Sequence, residues 1–270
     1  MAQDLAAVAK QIRMDIIEET AAAGSGHPGG SLSSTEILTV LYFDKMNIDP
    51  ANPHWPDRDR FVLSKGHAAP VLYAALAERG FFPREDLKTL RDIHSHLQGH
   101  PNMNDTPGVD MSTGSLGQGL SVANGMALAG RLDGKDYWVY VVLGDGEIQE
   151  GQVWEAAMSS AHYKLDHVIA FVDHNKLQID GPNDKVMTVN PVDEKFAAFG
   201  WHVQVIDGND LEAVSAAIDA AKAETGRPSV IVCETVKGKG VSFMEDQVGW
   251  HGKAPNAEQA AEALAELSAE

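Results

Sequence analysis

Two segments, Tyr137-Trp-Val-Tyr-Val-Val-Leu-Gly-Asp-Gly146 and His167-Val-Ile-Ala-Phe-Val-Asp-His-Asn175, carry the strongest structural signal in this chain. Each begins with a short apolar run of the kind that forms a buried strand, and each ends in polar residues. The residues between them leave room for one helix and its turns. The two segments therefore predict a strand, a crossover helix and a second strand parallel to the first.

The polar ends of these two strands predict a cation site. In a parallel βαβ unit both ends emerge at the same carboxyl edge, where open α/β sheets bind ligands. The carboxylate of Asp145, the amide oxygen of Asn175 and a main-chain carbonyl just beyond it suit a hard divalent cation that holds a diphosphate. A helix expected to open near Glu150 would point its N-terminus at the phosphates. The alternative is that Gly144-Asp-Gly146 is only a tight turn with an Asx hydrogen bond.

The rest of the chain repeats the alternation of strands and helices. Strands are expected near 60–63, 137–143, 167–172, 202–206 and 229–234, and helices near 3–23, 34–43, 68–79, 87–91, 117–132, 150–163, 191–199 and 210–223. This pattern predicts an α/β fold, with a mostly parallel sheet and helices on both faces. We expect one domain over residues 1–256 and an Ala/Glu-rich helical tail over 257–270 that frays or docks on a partner.

Composition narrows the class of protein. Among 270 residues, Lys and Arg number 21 against 39 Asp and Glu, which gives a net charge of −18. That charge argues against nucleic acid and against an anionic membrane as partners. The single Cys233 lies in an apolar run and is expected in the core, and no disulfide can form within the chain. With no signal peptide and no apolar run long enough to span a bilayer, we expect a cytoplasmic protein.

Histidines in loops are candidates for chemistry. Eleven are present, and imidazole suits proton relay and hydrogen bonds to phosphate or sugar oxygens. Five lie beside glycine or proline or close to them: His27, His67, His96, His100 and His251. A single loop histidine is more often solvated than catalytic. A second alternative is a zinc site formed by His94, His96 and His100.

Two glycine-rich segments give weaker signals. Ser112-Thr-Gly-Ser-Leu-Gly-Gln-Gly119 either exposes N–H groups to an anion or polar ring atoms, or is a plain turn into a helix. It matches neither the P-loop nor the dinucleotide fingerprint. Lys237-Gly-Lys-Gly240 is expected to be a mobile, solvated loop, or one that closes on a ligand.

Taken in order, these motifs resemble the transketolase family over residues 10 to 255. Gly144-Asp-Gly146 with Asp173-His-Asn175 is similar to the thiamine diphosphate motif, although His174 stands where the family often has Asn or Asp. Five more segments match: Ser25-Gly-His-Pro-Gly29, Arg60-Phe-Val-Leu-Ser-Lys-Gly-His67, Gly99-His-Pro101, Thr113-Gly-Ser-Leu-Gly-Gln-Gly119 and His251-Gly252. The resemblance implies a thiamine diphosphate-binding fold with Mg²⁺, or Ca²⁺ or Mn²⁺, as the metal.

The resemblance also implies roles for particular residues. Asp145, Asn175 and the carbonyl of Leu177 would hold the metal. His27, His100 and His251 would be catalytic, handling proton transfers on the sugar hydroxyls. The residues implied to contact or surround the cofactor are His67, Gly114, Ser115, Leu116, Gly146, Glu150, Asn175 and Ile179. Of these, Glu150 also resembles a family residue at the subunit interface.

Transketolases continue into a pyrimidine-binding domain, with a Glu that activates the aminopyrimidine, and a third domain; this chain stops before them. It resembles the N-terminal subunit of a split transketolase, which moves a two-carbon ketol unit from a ketose phosphate to an aldose phosphate. The implied partner is a separate C-terminal subunit carrying the pyrimidine-binding domain, in an α2β2 heterotetramer acting in the pentose phosphate part of carbohydrate metabolism. The alternatives are a deoxyxylulose-phosphate synthase-like enzyme, a specialised sugar-acid or sulfosugar transketolase, a His/Asp metallohydrolase and a non-catalytic subunit.

Overall fold

The computed structural model describes residues 4–269, so residues 1–3 and 270, at the ends of the predicted domain and tail, lie outside the described residues. The strands are β1 (Arg60–Leu63), β2 (Val139–Gly144), β3 (Val168–His174), β4 (Leu177–Gln178), β5 (Gly181–Pro182), β6 (His202–Asp207) and β7 (Ser229–Glu234). Five of them form the main sheet, all parallel, in the order β1-β2-β3-β7-β6. The predicted parallel α/β sheet is confirmed, and β4 with β5 adds a small antiparallel hairpin that was not predicted.

Helices cover both faces of the sheet. They are α1 (Leu5–Ala23), α2 (Pro28–Leu32), α3 (Thr35–Val40), α4 (Ala69–Arg79), α5 (Gly119–Leu132), α6 (Gly151–His162), α7 (Asn183–Val186), α8 (Val192–Ala198), α9 (Leu211–Ala223) and α10 (Ala257–Ala269). The predicted short helix at 87–91 lies earlier in the chain, as a 3₁₀ segment over Arg84–Thr89.

Successive residues of the central strands point to opposite faces and build two hydrophobic cores. Tyr140 and Phe171 belong to the core shared with α1, α3, α4 and α9. Val141 and Val172 belong to the core shared with α5, α6 and α8. Because both faces are covered, every residue of β3 is buried, which explains why its sequence reads as a continuous apolar run and not as an alternation.

The ends of α1 follow from local sequence, but the segment after it does not. The Asp4 side chain caps the first turn by accepting from the N–H groups of Ala6 and Ala7, and Gly24 ends the helix with φ 57°. No helix is predicted between residues 23 and 34, yet Pro28–Leu32 forms the short helix α2. Proline suits the first turn of a helix because its missing N–H would have no partner there.

The tail helix α10 packs on this chain. Ala263 and Leu267 are fully buried, and the Lys10 ammonium on α1 donates to the carbonyl of Ser268 at 3.0 Å. The domain boundary at 256 nevertheless stays a prediction. None of the helices in residues 4–269 is long and apolar enough to cross a membrane.

The carboxyl group of Glu19 is buried without a hydrogen-bond partner. Its relative exposure is 0%, and neither carboxylate oxygen has a hydrogen-bond partner among residues 4–269. Burial raises the pKa of Glu19 well above its usual value, and the nearby Asp15 carboxylate raises it further. The folded state therefore holds Glu19 as a neutral acid, whereas the unfolded chain ionises it at an ordinary pH.

We expect Glu19→Met to increase the free energy of unfolding, and to increase it more as the pH rises. Above the unfolded pKa of about 4.5, the wild type loses about 1.4 kcal/mol of stability per pH unit until the folded pKa is reached. Methionine has no carboxyl group that could ionise in the unfolded chain, so its stability does not depend on this titration. Urea unfolding of both proteins at pH 5 and pH 8 measures the difference between their free energies of unfolding. If that difference does not change with pH, Glu19 is not neutral in the folded protein.

Candidate functional site

The site is built at the carboxyl edge of β2 and β3, as the sequence predicted. Gly144 at the end of β2 lies opposite Asp173 in β3, and the Asp145 N–H donates to the Asp173 carbonyl at 3.2 Å. This register brings the Gly-Asp-Gly turn beside the Asp-His-Asn segment. The two strongest motifs of the sequence therefore form one wall.

The three residues predicted to hold a metal lie on this wall. Asp145 is 2% exposed, and its carboxylate accepts from the N–H groups of Gly146 and Lys176. Lys176 reaches it because its φ of 68° turns the chain sharply after Asn175. The Asn175 amide oxygen accepts from the Leu177 N–H at 3.1 Å, and the Leu177 carbonyl accepts from the Lys237 ammonium at 2.9 Å.

These oxygens open onto a cavity of about 130 Å³. The cavity is lined by Gly30, Lys65, His67, Leu116, Gly144, Asp145, Gly146, Glu147, Asn175, Leu177, Gln178, Ile179, Lys237 and His251. It brings together most of the residues assigned to the metal and the cofactor from the sequence. Leu116 and Ile179 are 38% and 63% exposed, so two apolar side chains flank a polar floor.

Three assigned residues lie away from the cavity lining. Gly114 has φ 142°, and a side chain there would come 3.0 Å from the His100 ring. Ser115 is exposed. Glu150 is also exposed and stands at the start of α6. The structure therefore places the Gly114–Leu116 turn at the cavity through Leu116, and it leaves Ser115 and Glu150 facing outward.

The donor set fits a hard divalent cation with a diphosphate. A carboxylate, an amide oxygen and a main-chain carbonyl are oxygen ligands of the kind that magnesium and calcium accept. Glycine suits position 146, because the Cβ of any larger residue there would come within 3.1 Å of Gln178 Cβ and crowd this wall. The buried side-chain amide of Asn183 also lies beside this turn, since its oxygen would be 3.8 Å from a Cβ at position 146.

Three histidines form a cluster at one side of the cavity. The ring centroids of His27 and His67 are 5.2 Å apart, those of His67 and His251 are 5.2 Å apart, and those of His27 and His251 are 5.6 Å apart. Burial is the main cause that lowers the pKa of His27 to about 4 and that of His251 to about 3, and neighbouring cations lower both further. The imidazoles are therefore neutral at pH 7, and each can donate one proton and accept another.

His100 lies apart from the centre of this cluster, with its ring against the Gly114 turn. Burial lowers the pKa of His100, and Arg91 lowers it further. The alternative zinc site formed with His94 and His96 is not supported. No group of three or more His, Cys, Asp or Glu in residues 4–269 is arranged to hold a metal ion, and His96 instead lies 3.1 Å from the Asp86 carboxylate.

Lys237 corrects one expectation from the sequence. Its loop was expected to be mobile and solvated, but Lys237 is 2% exposed. The next residue, Gly238, has φ 80° and packs so closely on the Met244 carbonyl that a side chain would not fit. Burial lowers the pKa of Lys237 to about 8, and its ammonium lies 3.0 Å from His251 Nδ1. Alternating lysines and glycines over 237–240 predict a flexible loop, and nothing local reveals the burial of Lys237.

Asp173 and Lys65 form a buried ion pair beneath the site, which the sequence did not reveal. The Lys65 ammonium lies 2.5 Å from the Asp173 carboxylate. Burial alone would raise the pKa of Asp173, but Lys65 and hydroxyl donors outweigh it and lower that pKa. The Ser33 hydroxyl, just before α3, also donates to Asp173 at 2.6 Å. Because Asp173 also accepts from the Asn175 amide at 2.9 Å, this pair fixes the orientation of Asn175.

Glu147 joins three segments of the cavity wall. One carboxylate oxygen accepts from the Ser64 hydroxyl and from the Gly117 N–H, and the other accepts from the Gly144 N–H. These contacts connect the segment that carries His67, the turn that carries Leu116 and the Gly-Asp-Gly turn. A single buried carboxylate therefore holds the walls of the cavity in place.

Comparison with known proteins identifies related chains. A family model described as "Transketolase, thiamine diphosphate binding domain" matches residues 3–269. The chain is 50% identical over 267 residues to the 6-deoxy-6-sulfo-D-fructose transketolase subunit of Clostridium sp. (strain MSTE9), covering 99% of this chain and 97% of that protein. It is 43% identical over 256 residues to an apulose-4-phosphate transketolase subunit of Phocaeicola vulgatus, covering 95% and 91%.

Solved structures show the same fold. A transketolase from Leishmania mexicana superposes with a TM-score of 0.93 at 33% identity, over 99% of this chain and 42% of that one. The chain thus spans about two fifths of the transketolase whose structure it matches, and nearly the whole length of the two relatives named as subunits.

Proposed function

Since the chain belongs to the transketolase family, in the part described as the thiamine diphosphate binding domain, we propose that it is the N-terminal subunit of a two-chain transketolase. The proposal is supported by its match to 97% and 91% of the length of two relatives that are named as transketolase subunits. In this proposal a second chain supplies the pyrimidine-binding domain. The simplest assembly is a heterotetramer with two copies of each chain.

Asp145, Asn175 and the Leu177 carbonyl would hold a divalent metal, Mg²⁺ or alternatively Ca²⁺ or Mn²⁺, and through it the diphosphate of thiamine diphosphate. Gly146 and His67 would lie against that diphosphate. The charge of Lys237 favours an anion in this cavity, because Lys237 lines it and pairs with no carboxylate of residues 4–269, in a chain that is otherwise strongly acidic. The cofactor, when bound, supplies the carbanion chemistry.

The reaction proposed is transfer of a two-carbon ketol unit from a ketose phosphate to an aldose phosphate, as in pentose phosphate metabolism. His27, His100 and His251 would hold or move protons on the sugar hydroxyls, a task for which neutral imidazoles are suited. His251 has a defined tautomer. An ammonium group can only donate, so the Lys237 ammonium leaves Nδ1 of His251 as acceptor and places the ring proton on Nε2.

The partner would cover the apolar mouth of the cavity. Leu116 and Ile179 are exposed there, and in this proposal they pack near the rings of the cofactor once a second chain encloses it. Glu150, exposed at the start of α6, would lie at the subunit interface. With one buried, unpaired cysteine and an acidic surface, we place the complex in the cytoplasm.

A sulfosugar transketolase is the second candidate. Its support is the 50% identity to a relative named for 6-deoxy-6-sulfo-D-fructose. The two candidates share the cofactor, the histidines and the bond that is broken. They differ only in the anionic group at the far end of the sugar.

The observation that carries the proposal is one cavity lined by Asp145, Asn175 and Leu177, whose oxygens suit a cation, together with two lysines and two of the three clustered histidines. The test is to assay the chain with thiamine diphosphate, Mg²⁺ and a ketose phosphate donor, alone and with the product of a neighbouring gene that encodes the pyrimidine-binding domain. We expect ketol transfer only with both chains. Transfer by this chain alone, at a rate that the second chain does not raise, would falsify the two-chain proposal.

A further inference from the structure

The histidine that departs from the family pattern, His174, contacts a carboxylate on the next strand of the sheet. β3 and β7 pair in parallel, and their last residues, His174 and Glu234, lie opposite each other. The Glu234 carboxylate lies 2.6 Å from His174 Nδ1. An ionised carboxylate can only accept a hydrogen bond, so the imidazole donates through Nδ1. Because His174 is buried, this contact lies under the surface and the sheet fixes its geometry.

The same carboxylate holds a second side chain. Its other oxygen, Oε2, lies 2.7 Å from the Lys176 ammonium, which has no other carboxylate of residues 4–269 within 4.0 Å. Burial alone would raise the pKa of Glu234, but Lys176 and His174 outweigh it and lower that pKa. Glu234 is therefore ionised at pH 7, and it bridges two residues that only Asn175 separates.

The bridged segment has a backbone conformation that needs support. Lys176 has φ 68°, which residues other than glycine rarely adopt and which persists only where the surroundings hold it. In this conformation its N–H donates to the Asp145 carboxylate, and its carbonyl accepts from the Asn183 N–H at 2.9 Å. Asn175 and Leu177, on either side of Lys176, carry the other two oxygens assigned to the metal. The bend at Lys176 therefore sets where the three oxygens lie relative to one another.

We propose that Glu234 is a positioning residue for the metal site. By bridging His174 and Lys176 it fixes the bend at residues 174–176, from which two of the three assigned oxygens project. This inference rests on the proposed function. Partners that orient metal ligands typically contribute 10- to 100-fold to metal affinity, and we expect the lower end of that range because Glu234 acts through the backbone. Since a partly exposed ion pair contributes little to stability, its loss should affect the site more than the fold.

The test uses two cations that differ in their demands on geometry. Mg²⁺ requires a near-ideal octahedral site, whereas Ca²⁺ accepts a flexible one. A loosened bend should therefore weaken Mg²⁺ binding more than Ca²⁺ binding, whereas the mere loss of a negative charge should weaken both alike. Each cation is titrated calorimetrically into the metal-free complex of this chain with its partner, at a fixed concentration of thiamine diphosphate. Glu234→Ala should raise the apparent Kd for Mg²⁺ about tenfold and that for Ca²⁺ by at most about threefold.

Two further variants separate positioning from charge. Glu234→Gln loses the charge but keeps an acceptor for Lys176 and a donor for the other tautomer of His174, so its Kd for Mg²⁺ should stay within about threefold of the wild type. Asp207→Asn is the matched control, because Asp207 is exposed and lies opposite Glu234 on the other side of β7. It removes the same charge at the same edge of the sheet, where solvent screens it, and should leave both constants within about twofold.

The outcomes distinguish the inference from the function on which it rests. Equal losses for the two cations in Glu234→Ala, or losses in Glu234→Gln as large as those in Glu234→Ala, would reduce Glu234 to a source of charge and overturn the inference. Unchanged Mg²⁺ affinity in Glu234→Ala would overturn it while the proposed function stands. A lower melting temperature of the metal-free complex without the change in cation preference would show a purely structural role and also overturn it. If the wild-type complex binds no thiamine diphosphate with either cation, the proposed function fails and this inference fails with it.

Discussion

A chain with Asp145 replaced by alanine is expected to bind thiamine diphosphate and Mg²⁺ on the order of 100-fold more weakly, or worse. Even residues that only orient metal ligands typically contribute 10- to 100-fold to metal affinity, so loss of a charged ligand belongs at or beyond that range. Asn175→Ala should weaken binding clearly but less, because a neutral amide oxygen is lost and the carboxylate remains. Titrating the cofactor into the two-chain complex, with Mg²⁺ and with a chelator, measures both effects.

The control must separate loss of a ligand from loss of a negative charge. Asp184→Asn serves this purpose, since Asp184 lies on α7 near the site and its side chain is 64% exposed. It should bind cofactor as the wild type does. The Asp145 carboxylate also accepts hydrogen bonds from the N–H groups of Gly146 and Lys176. The melting temperature of Asp145→Ala must therefore be compared with that of the wild type. Unchanged metal-dependent affinity in both Asp145→Ala and Asn175→Ala would remove these residues from the metal site.

Much of this fold could be predicted because its signals are local. The strands at Val139–Gly144 and Val168–His174 are apolar runs that end in turn residues, and their parallel pairing follows from the length between them. Asp145 and Asn175 could be placed side by side on that basis alone. The order of the outer strands depends on which faces pack together, which no short segment of sequence specifies.

The residues that the sequence did not reveal act over long distances in the chain. Lys237 contacts Leu177 and His251 only in the folded protein. Glu147 accepts hydrogen bonds from Ser64, which is far away in the sequence, and from Gly144. A buried lysine or glutamate looks the same in sequence as a solvated one. When such a side chain is buried, only its hydrogen-bond and charge partners compensate for the hydration that it loses. Those partners are distant in the sequence, so these residues could be found only from the three-dimensional structure.

The histidines proposed to be catalytic, His100 and His251, are expected to affect turnover more than cofactor binding. Loss of a general acid–base group typically lowers the rate by about 10²- to 10⁴-fold, so His251→Ala and His100→Ala should lower kcat by that order. Cofactor affinity should stay within about tenfold, because neither histidine is assigned to the metal. Steady-state rates at saturating cofactor, measured beside cofactor titrations, separate the two effects.

The chemistry of His251 makes this prediction specific. Its imidazole is held neutral by burial and by Lys237, and its Nδ1 faces the lysine ammonium at 3.0 Å, so Nε2 is left to donate to a sugar oxygen. His251→Gln keeps a side-chain donor and acceptor and should therefore retain more turnover than His251→Ala. His162→Ala, at an exposed position on α6, should leave both quantities unchanged. If cofactor binding collapses in His251→Ala while turnover at saturation stays normal, His251 belongs to the cofactor site and has no part in proton transfer.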